Sequence, residues 1–179
     1  VSALIFVGLP FAYKNSLYNC ACAIHCGKIL AFIPQVYPSL KQKSYFSTFD
    51  TSLPVEQIQI PNVADIIYFG TNIIFEDPQD SCFCISAEVG NDLFTVLPPS
   101  TNHCANGATI NVNLSSLSEI AERKNYRRLT VSAYSNKVSC AYIYCESSFG
   151  ESSTDDVYAA HNLIAENGKI LKESKLFGN

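Results

Sequence analysis

Apolar, β-branched and aromatic residues come in short runs along the whole chain, and each run is closed by a turn signal before it reaches helical length. The runs are ALIFVGL (3–9), LYNCACAIH (17–25), KILAFIP (28–34), VEQIQI (55–60), DIIYF (65–69), NIIFE (72–76), SCFCISAEV (81–89), TINVNL (109–114), SCAYIYC (139–145) and HNLIAEN (161–167). The clearest breaks are Cys26-Gly27-Lys28 and Glu166-Asn167-Gly168-Lys169, the second holding the hairpin dipeptide Asn-Gly. Such a chain builds sheets. Two stretches read as helices: 98–106, where Pro98-Pro99 suits a first turn, and 116–136, where Leu117, Ile120 and Ala121 share a face. Strands that outnumber helices, with helices following buried strands, predict an α/β protein whose helices pack on a mixed sheet. Residues 35–54, QVYPSLKQKSYFSTFDTSLP, keep no period and are expected to form a long loop.

A chain of 179 residues, 47% hydrophobic and only 16% charged, can bury a substantial core and is read as one domain, 1–179. Its net charge of −4 argues against a nucleic acid or an anionic membrane surface as partner. No apolar run approaches the ~18 residues of a membrane span. The opening VSALIFVGLPFAY has no basic stretch before its apolar residues, so it reads as a strand rather than a signal peptide. The chain holds no Met and begins on Val1, which reads as a piece of a longer protein.

Eight cysteines, at 20, 22, 26, 82, 84, 104, 140 and 145, show no paired CxxC spacing. Cys22, His25 and Cys26 lack the second ligand pair of a zinc site, so no metal is expected. Cys20/Cys22 and Cys82/Cys84 are i, i+2 pairs that share a face within a strand, and are expected as buried, reduced thiols.

One corner draws attention to chemistry. After the run that ends at Val89 comes Gly90-Asn91-Asp92, at the kind of strand-to-turn junction where enzymes expose a nucleophile. The residue there is glycine.

Four stretches carry a resemblance: VGLPFAYKNSLYNCACAIHCGKIL (7–30), DLFTVLPPSTNHCANGATINVNLS (92–115), YRR (126–128) and GESSTDDVYAAHNLIAENGKILKES (150–174). Together they resemble the glutamine amidohydrolase domain of glutamine-dependent NAD synthetases, a branch of the nitrilase (carbon–nitrogen hydrolase) superfamily. The resemblance implies an α/β, nitrilase-like αββα sandwich, here partial and lacking the first strands and helix. Members hydrolyse glutamine with a Cys-Glu-Lys triad: a thiolate attacks the carboxamide, the glutamate moves protons and the lysine stabilises the oxyanion. The ammonia passes to an ATP-dependent ligase domain that amidates nicotinic acid adenine dinucleotide. The resemblance thus implies no cofactor in this domain, ATP and Mg belonging to the synthetase domain. It also implies a cytoplasmic location, with that synthetase domain or further copies of the chain as partners.

Aligned on these stretches, Gly90 occupies the nucleophile position and Asn91 that of its acidic neighbour, while Gln35, after Pro34, occupies the lysine position. The family's glutamate lies before the lysine, ahead of residue 1. No catalytic position is therefore expected to be intact. Glu88 and Arg123 stand as remnants of the substrate pocket, whereas a serine of that region has become Leu117. The segment Tyr37–Tyr45 has diverged furthest. Other nucleophiles are poorly placed: Cys84, Ser86 and Cys104 suggest no base and cation, and adjacent helical residues such as His103 and Cys104 do not face each other. His161 is expected to order a buried turn. Arg127 and Arg128 read as framework residues. Glu151, Ser152, Thr154 and Asp155 are read either as a domain or subunit interface or as turn-capping residues. The resulting expectation is an inactive, structural amidohydrolase unit; the alternatives are a non-catalytic scaffold or oligomerisation module, and a hydrolase with a displaced active site.

Overall fold

The computed structural model describes residues 3–178. Strands β1 (Leu4–Tyr13), β2 (Ser16–His25), β3 (Lys28–Pro34), β4 (Glu56–Ile58) and β5 (Ile67–Phe69) form one sheet in the order β1-β2-β3-β5-β4. A second sheet holds β6 (Phe75–Asp77), β7 (Asp80–Val89), β8 (Ile110–Ser115), β9 (Ala141–Glu146), β10 (Leu163–Glu166) and β11 (Lys169–Glu173), in the order β11-β10-β9-β8-β7-β6. Within it β7, β8 and β9 run parallel, joined through helices α1 (Pro99–Ala105) and α2 (Arg123–Val138). The Asn-Gly dipeptide makes the β10–β11 hairpin with both residues at positive φ, 47° at Asn167 and 82° at Gly168.

The sheets meet through small residues. Ala21, Ala23, Ala31 and Ile33 face Ala87 and Val89, and short side chains let the two layers lie close. On the outer face of the second sheet, α2 presents Val131 and Tyr134 to Tyr142, Tyr144, Leu163 and Ala165. On the outer face of the first sheet the long loop takes the place of a helix. Its Phe49, 6% exposed, packs into a cluster with Cys20, Cys22, Phe32, Ile58, Ile67 and Phe69. Burying one such ring is worth about 1.5–3 kcal/mol, so the irregular segment is anchored at one point without regular structure. Phe11 stacks on Phe32 with ring centroids 4.0 Å apart and extends this aromatic layer.

Two expectations need correction. The helix expected over 116–136 begins only at Arg123, because Glu122 sits in the left-handed region at φ 65° and breaks any helix running into it. Leu117, Ile120 and Ala121 therefore share no helical face. Residues 118–119 are instead held by the loop at 156–157, where Ser118 Oγ donates to Asp156 and the Glu119 N–H donates to the Val157 carbonyl at 2.7 Å. The second concerns Cys82 and Cys84: Cys82 is exposed and Cys84 half-buried, since β7 starts beyond the edge of the core. Cys20 and Cys22 are buried thiols as expected.

Candidate functional site

β7 ends at Val89, and residues 90–94 form a single 3-10 turn before the chain reaches α1. Gly90 opens that turn at φ 54°, where an L side chain costs about 1–2 kcal/mol. A Cβ built on Gly90 would stand 3.2 Å from Gln35 Nε2. The two positions that the resemblance paired, 55 residues apart (90 minus 35), are thus in contact across the corner.

Gln35 is 1% exposed and fixed at both ends. Its backbone N–H donates to the Asn19 carbonyl at 2.8 Å, and its Oε1 accepts from Asn19 Nδ2 at 3.0 Å. Its Nε2, aimed at Gly90, has no hydrogen-bond partner. Asn113 on β8 donates through Nδ2 to the Gly90 carbonyl at 3.2 Å, and its Oδ1 is also without a partner. A buried amide donor and a buried amide acceptor are therefore left unsatisfied beside the same glycine, a costly arrangement in a protein interior.

Two carboxylates flank the corner. Glu88 Oε2 accepts the Ser100 N–H at the start of α1 at 3.0 Å, and its Oε1 accepts from the Tyr142 hydroxyl. Burial pushes the Tyr142 phenol well above its ordinary range, and the neighbouring Glu88 charge adds to it. Asp92 accepts the N–H groups of Val36 and Tyr37, at 3.1 and 2.7 Å, and so ties the end of β3 to the corner. Burial raises the Asp92 carboxyl to about 7, and the charge of Glu88 pushes the same way against the pull of those N–H groups. Glu88 and Asp92 are each 1% exposed, and both spend their oxygens on internal donors. The groups assembled around Gly90 are amides and carboxylates; what they do is hold the corner shut.

The other expected site residues lie apart in function. Arg123, half-buried at the start of α2, donates through Nη1 to the Ser118 carbonyl at 2.5 Å and so braces the 116–122 segment. Glu151 completes a capping box with Ser148, whose Oγ accepts the Gly150 N–H at 3.3 Å. Ser152 Oγ accepts the Tyr158 N–H at 2.9 Å, and the Asp155 N–H donates to Ser153 Oγ at 3.3 Å. Glu151, Ser152, Thr154 and Asp155 are all exposed. His161 is buried at a turn. Its Nδ1 accepts from Arg127 Nε at 3.1 Å, which leaves Nε2 as the protonated nitrogen, 3.0 Å from Glu173 Oε1. Arg127 is fully buried between Glu119 and Glu146, at 2.6 and 3.1 Å, and is a framework residue; Arg128 is exposed on Glu173. His103 Nε2 donates to the Thr71 carbonyl at 2.8 Å, bonded to a different group from its neighbour Cys104.

The sequence reading missed Asp92, Asn113 and Tyr142. A signal was there: polar residues alternate inside otherwise apolar strands. The register pairs Ser86 with Asn111 and Glu88 with Asn113, then Asn111 with Tyr142 and Asn113 with Tyr144, making a polar ladder on one face of three adjacent strands.

No protein-family model matches the chain. Its sequence is 30% identical over 174 residues to the glutamine-dependent NAD(+) synthetase of Mycobacterium tuberculosis, covering 97% of this chain and 26% of that protein. The Mycobacterium leprae protein of the same name is 28% identical over 176 residues, again at 97% and 26% coverage. The chain thus spans about a quarter of the length of these relatives. Among solved structures, the glutamine-dependent NAD(+) synthetase of Cytophaga hutchinsonii superposes with a TM-score of 0.77 at 19% identity, over 98% of this chain and 28% of that one. Saccharomyces cerevisiae Nit3, a member of branch 10 of the nitrilase superfamily, superposes at 0.71 with 11% identity, over 94% and 54%. By sequence the chain belongs with the glutamine-dependent NAD(+) synthetases, as a homologue of part of their length, and its fold is that of the nitrilase superfamily.

Proposed function

We propose that this chain is the amidohydrolase-type unit of a glutamine-dependent NAD synthetase in which glutamine hydrolysis has been lost, and that it acts as a structural module. The observation that carries the reading is the contact between Gly90 and Gln35. The position aligned with the nucleophile has no side chain, and the position aligned with the lysine offers a neutral amide. A related fold illustrates what the position does elsewhere: an amidase from Nesterenkonia, 13% identical with a TM-score of 0.72, takes an acetamide moiety covalently on its active-site cysteine. Here no thiol stands at the aligned corner, and the two nearby carboxylates are committed to backbone N–H groups and a tyrosine.

In this role the unit needs no cofactor of its own. Its partners are a synthetase domain or further copies of the chain, contacted through the exposed Glu151, Ser152, Thr154 and Asp155 segment, and it works in the cytoplasm. Among the described residues no helix is long and apolar enough to cross a membrane.

Ammonia release from glutamine by the purified chain tests the reading. No release above a protein-free blank is expected, nor any covalent adduct with a glutamine-like diazoketone. Gly90→Cys alone, and Gly90→Cys with Gln35→Lys, are also expected to stay silent. A lone thiol near pKa 8.5 is only a few per cent thiolate at neutral pH, and general acid–base catalysis worth ~10²–10⁴-fold is still lacking. Turnover by the unmodified chain would refute the proposal.

A further inference from the structure

At the opposite end of the parallel strands from Gly90 lie two thiols that no part of the amidohydrolase reading uses. Cys104 is in the last turn of α1, and Cys140 sits one residue before β9. Their thiols hydrogen-bond each other. Cys104 Sγ also accepts from Asn111 Nδ2 at 3.0 Å, and Cys140 Sγ donates to the Ala108 carbonyl at 3.0 Å. Cys140 is buried, while Cys104 is half-buried and open to solvent on one side. The sulfurs are already in contact although 36 residues separate them (140 minus 104), so a bond between them needs only a small closing movement.

We propose that Cys104 and Cys140 form a closable dithiol, a modification site on which a small-molecule disulfide of the glutathione type exchanges with Cys104 and Cys140 resolves the adduct. In the first step the Cys104 thiolate attacks one sulfur of the reagent. A Cys104–reagent bond forms, the reagent's own S–S bond breaks, and the departing thiolate takes up the proton that Cys104 released. In the second step the Cys140 thiolate attacks Cys104 Sγ, the internal disulfide forms, and the second half of the reagent leaves as a thiol with the Cys140 proton. Two protein thiols are oxidised, one reagent disulfide is reduced to two thiols, and no proton is gained or lost overall. The product staples the end of α1 to the start of β9.

The surroundings set the speed. Cys104 faces Cys140, the Asn111 amide, the Glu88 carboxylate and Tyr134. Burial pushes its thiol up to about 12; the Asn111 hydrogen bond pulls down, while Cys140 and Glu88 push up. The thiolate is therefore scarce near neutrality, and exchange is slow and accelerates about tenfold per pH unit.

The test uses the whole chain, incubated with oxidised and reduced glutathione, quenched with acid, alkylated, digested and analysed by mass spectrometry. The expected product is a linked peptide pair holding Cys104 and Cys140, forming about ten times faster at pH 8 than at pH 7. Cys140→Ser keeps a donor for the Ala108 carbonyl but removes the resolving sulfur, so this variant should accumulate the glutathione adduct on Cys104. The proposal is overturned if Cys104 stays free while the exposed Cys26 or Cys82 is modified, if the adduct on Cys104 persists in the unmodified chain, if Cys104 links to Cys84 instead, or if the rate is flat with pH.

Discussion

Gly90→Ala isolates the backbone demand at the corner from the chemistry. At a position with ordinary φ the exchange stabilises by about 0.4–1 kcal/mol, because the unfolded chain loses freedom. Here the backbone sits at φ 54°, where a side chain costs about 1–2 kcal/mol, and the new methyl would stand 3.2 Å from Gln35 Nε2. Relieving that contact means moving an amide held to Asn19 at 3.0 Å, and breaking such a bond costs a further ~1 kcal/mol. The net expectation is a loss of about 2 kcal/mol, or a fall in Tm of roughly 4–8 °C for a domain of this size. Urea unfolding of the variant and the parent measures it directly. A double-mutant cycle with Gln35→Ala should recover the contact part and leave the φ part. A Gly90→Ala protein as stable as its parent, or more stable, would show that neither strain nor contact fixes glycine there.

Other expectations follow from the buried charges. Asp92 and Glu146 are each raised by burial to about 7, so the folded state holds their protons to a higher pH than the unfolded chain does. The stability they contribute is complete below about pH 4 and is lost as pH rises through about 7; Asp92→Asn should flatten that slope by at most about 4 kcal/mol between these limits. Urea midpoints at several pH values check it, and an unchanged slope would mean Asp92 is not the group titrating. Arg127→Ala leaves Glu146 buried without its cation and should cost about 3–5 kcal/mol, with only a small salt dependence, by the same unfolding assay. Within 38–54, amide exchange should be fast everywhere except beside the anchored Phe49; protection equal to that of the core strands would mean the loop has another binding role.

The sequence by itself determined the strands, because β-branched runs closed by Gly and Asn-Gly turns leave a backbone few other choices. Every quoted run is a strand or contains one. It also determined that positions 35 and 90 belong together, since the stretches around each are matched to one family independently. Local pattern failed where tertiary bonds outbid it. Three apolar residues at helical spacing were not enough to keep 117–121 helical against Glu122 at φ 65° and the pull of residues 156–157. The state of the buried acids lay wholly in the tertiary structure. Asp92 is an ordinary surface residue type until packing removes it from water and brings Val36 and Tyr37, more than fifty residues away, to its oxygens. The Arg127–Glu146–His161 cluster and the Cys104–Cys140 contact arise the same way. Propensity and periodicity act over a few residues, whereas burial and pairing depend on which strands lie side by side, and that is decided only when the sheets close.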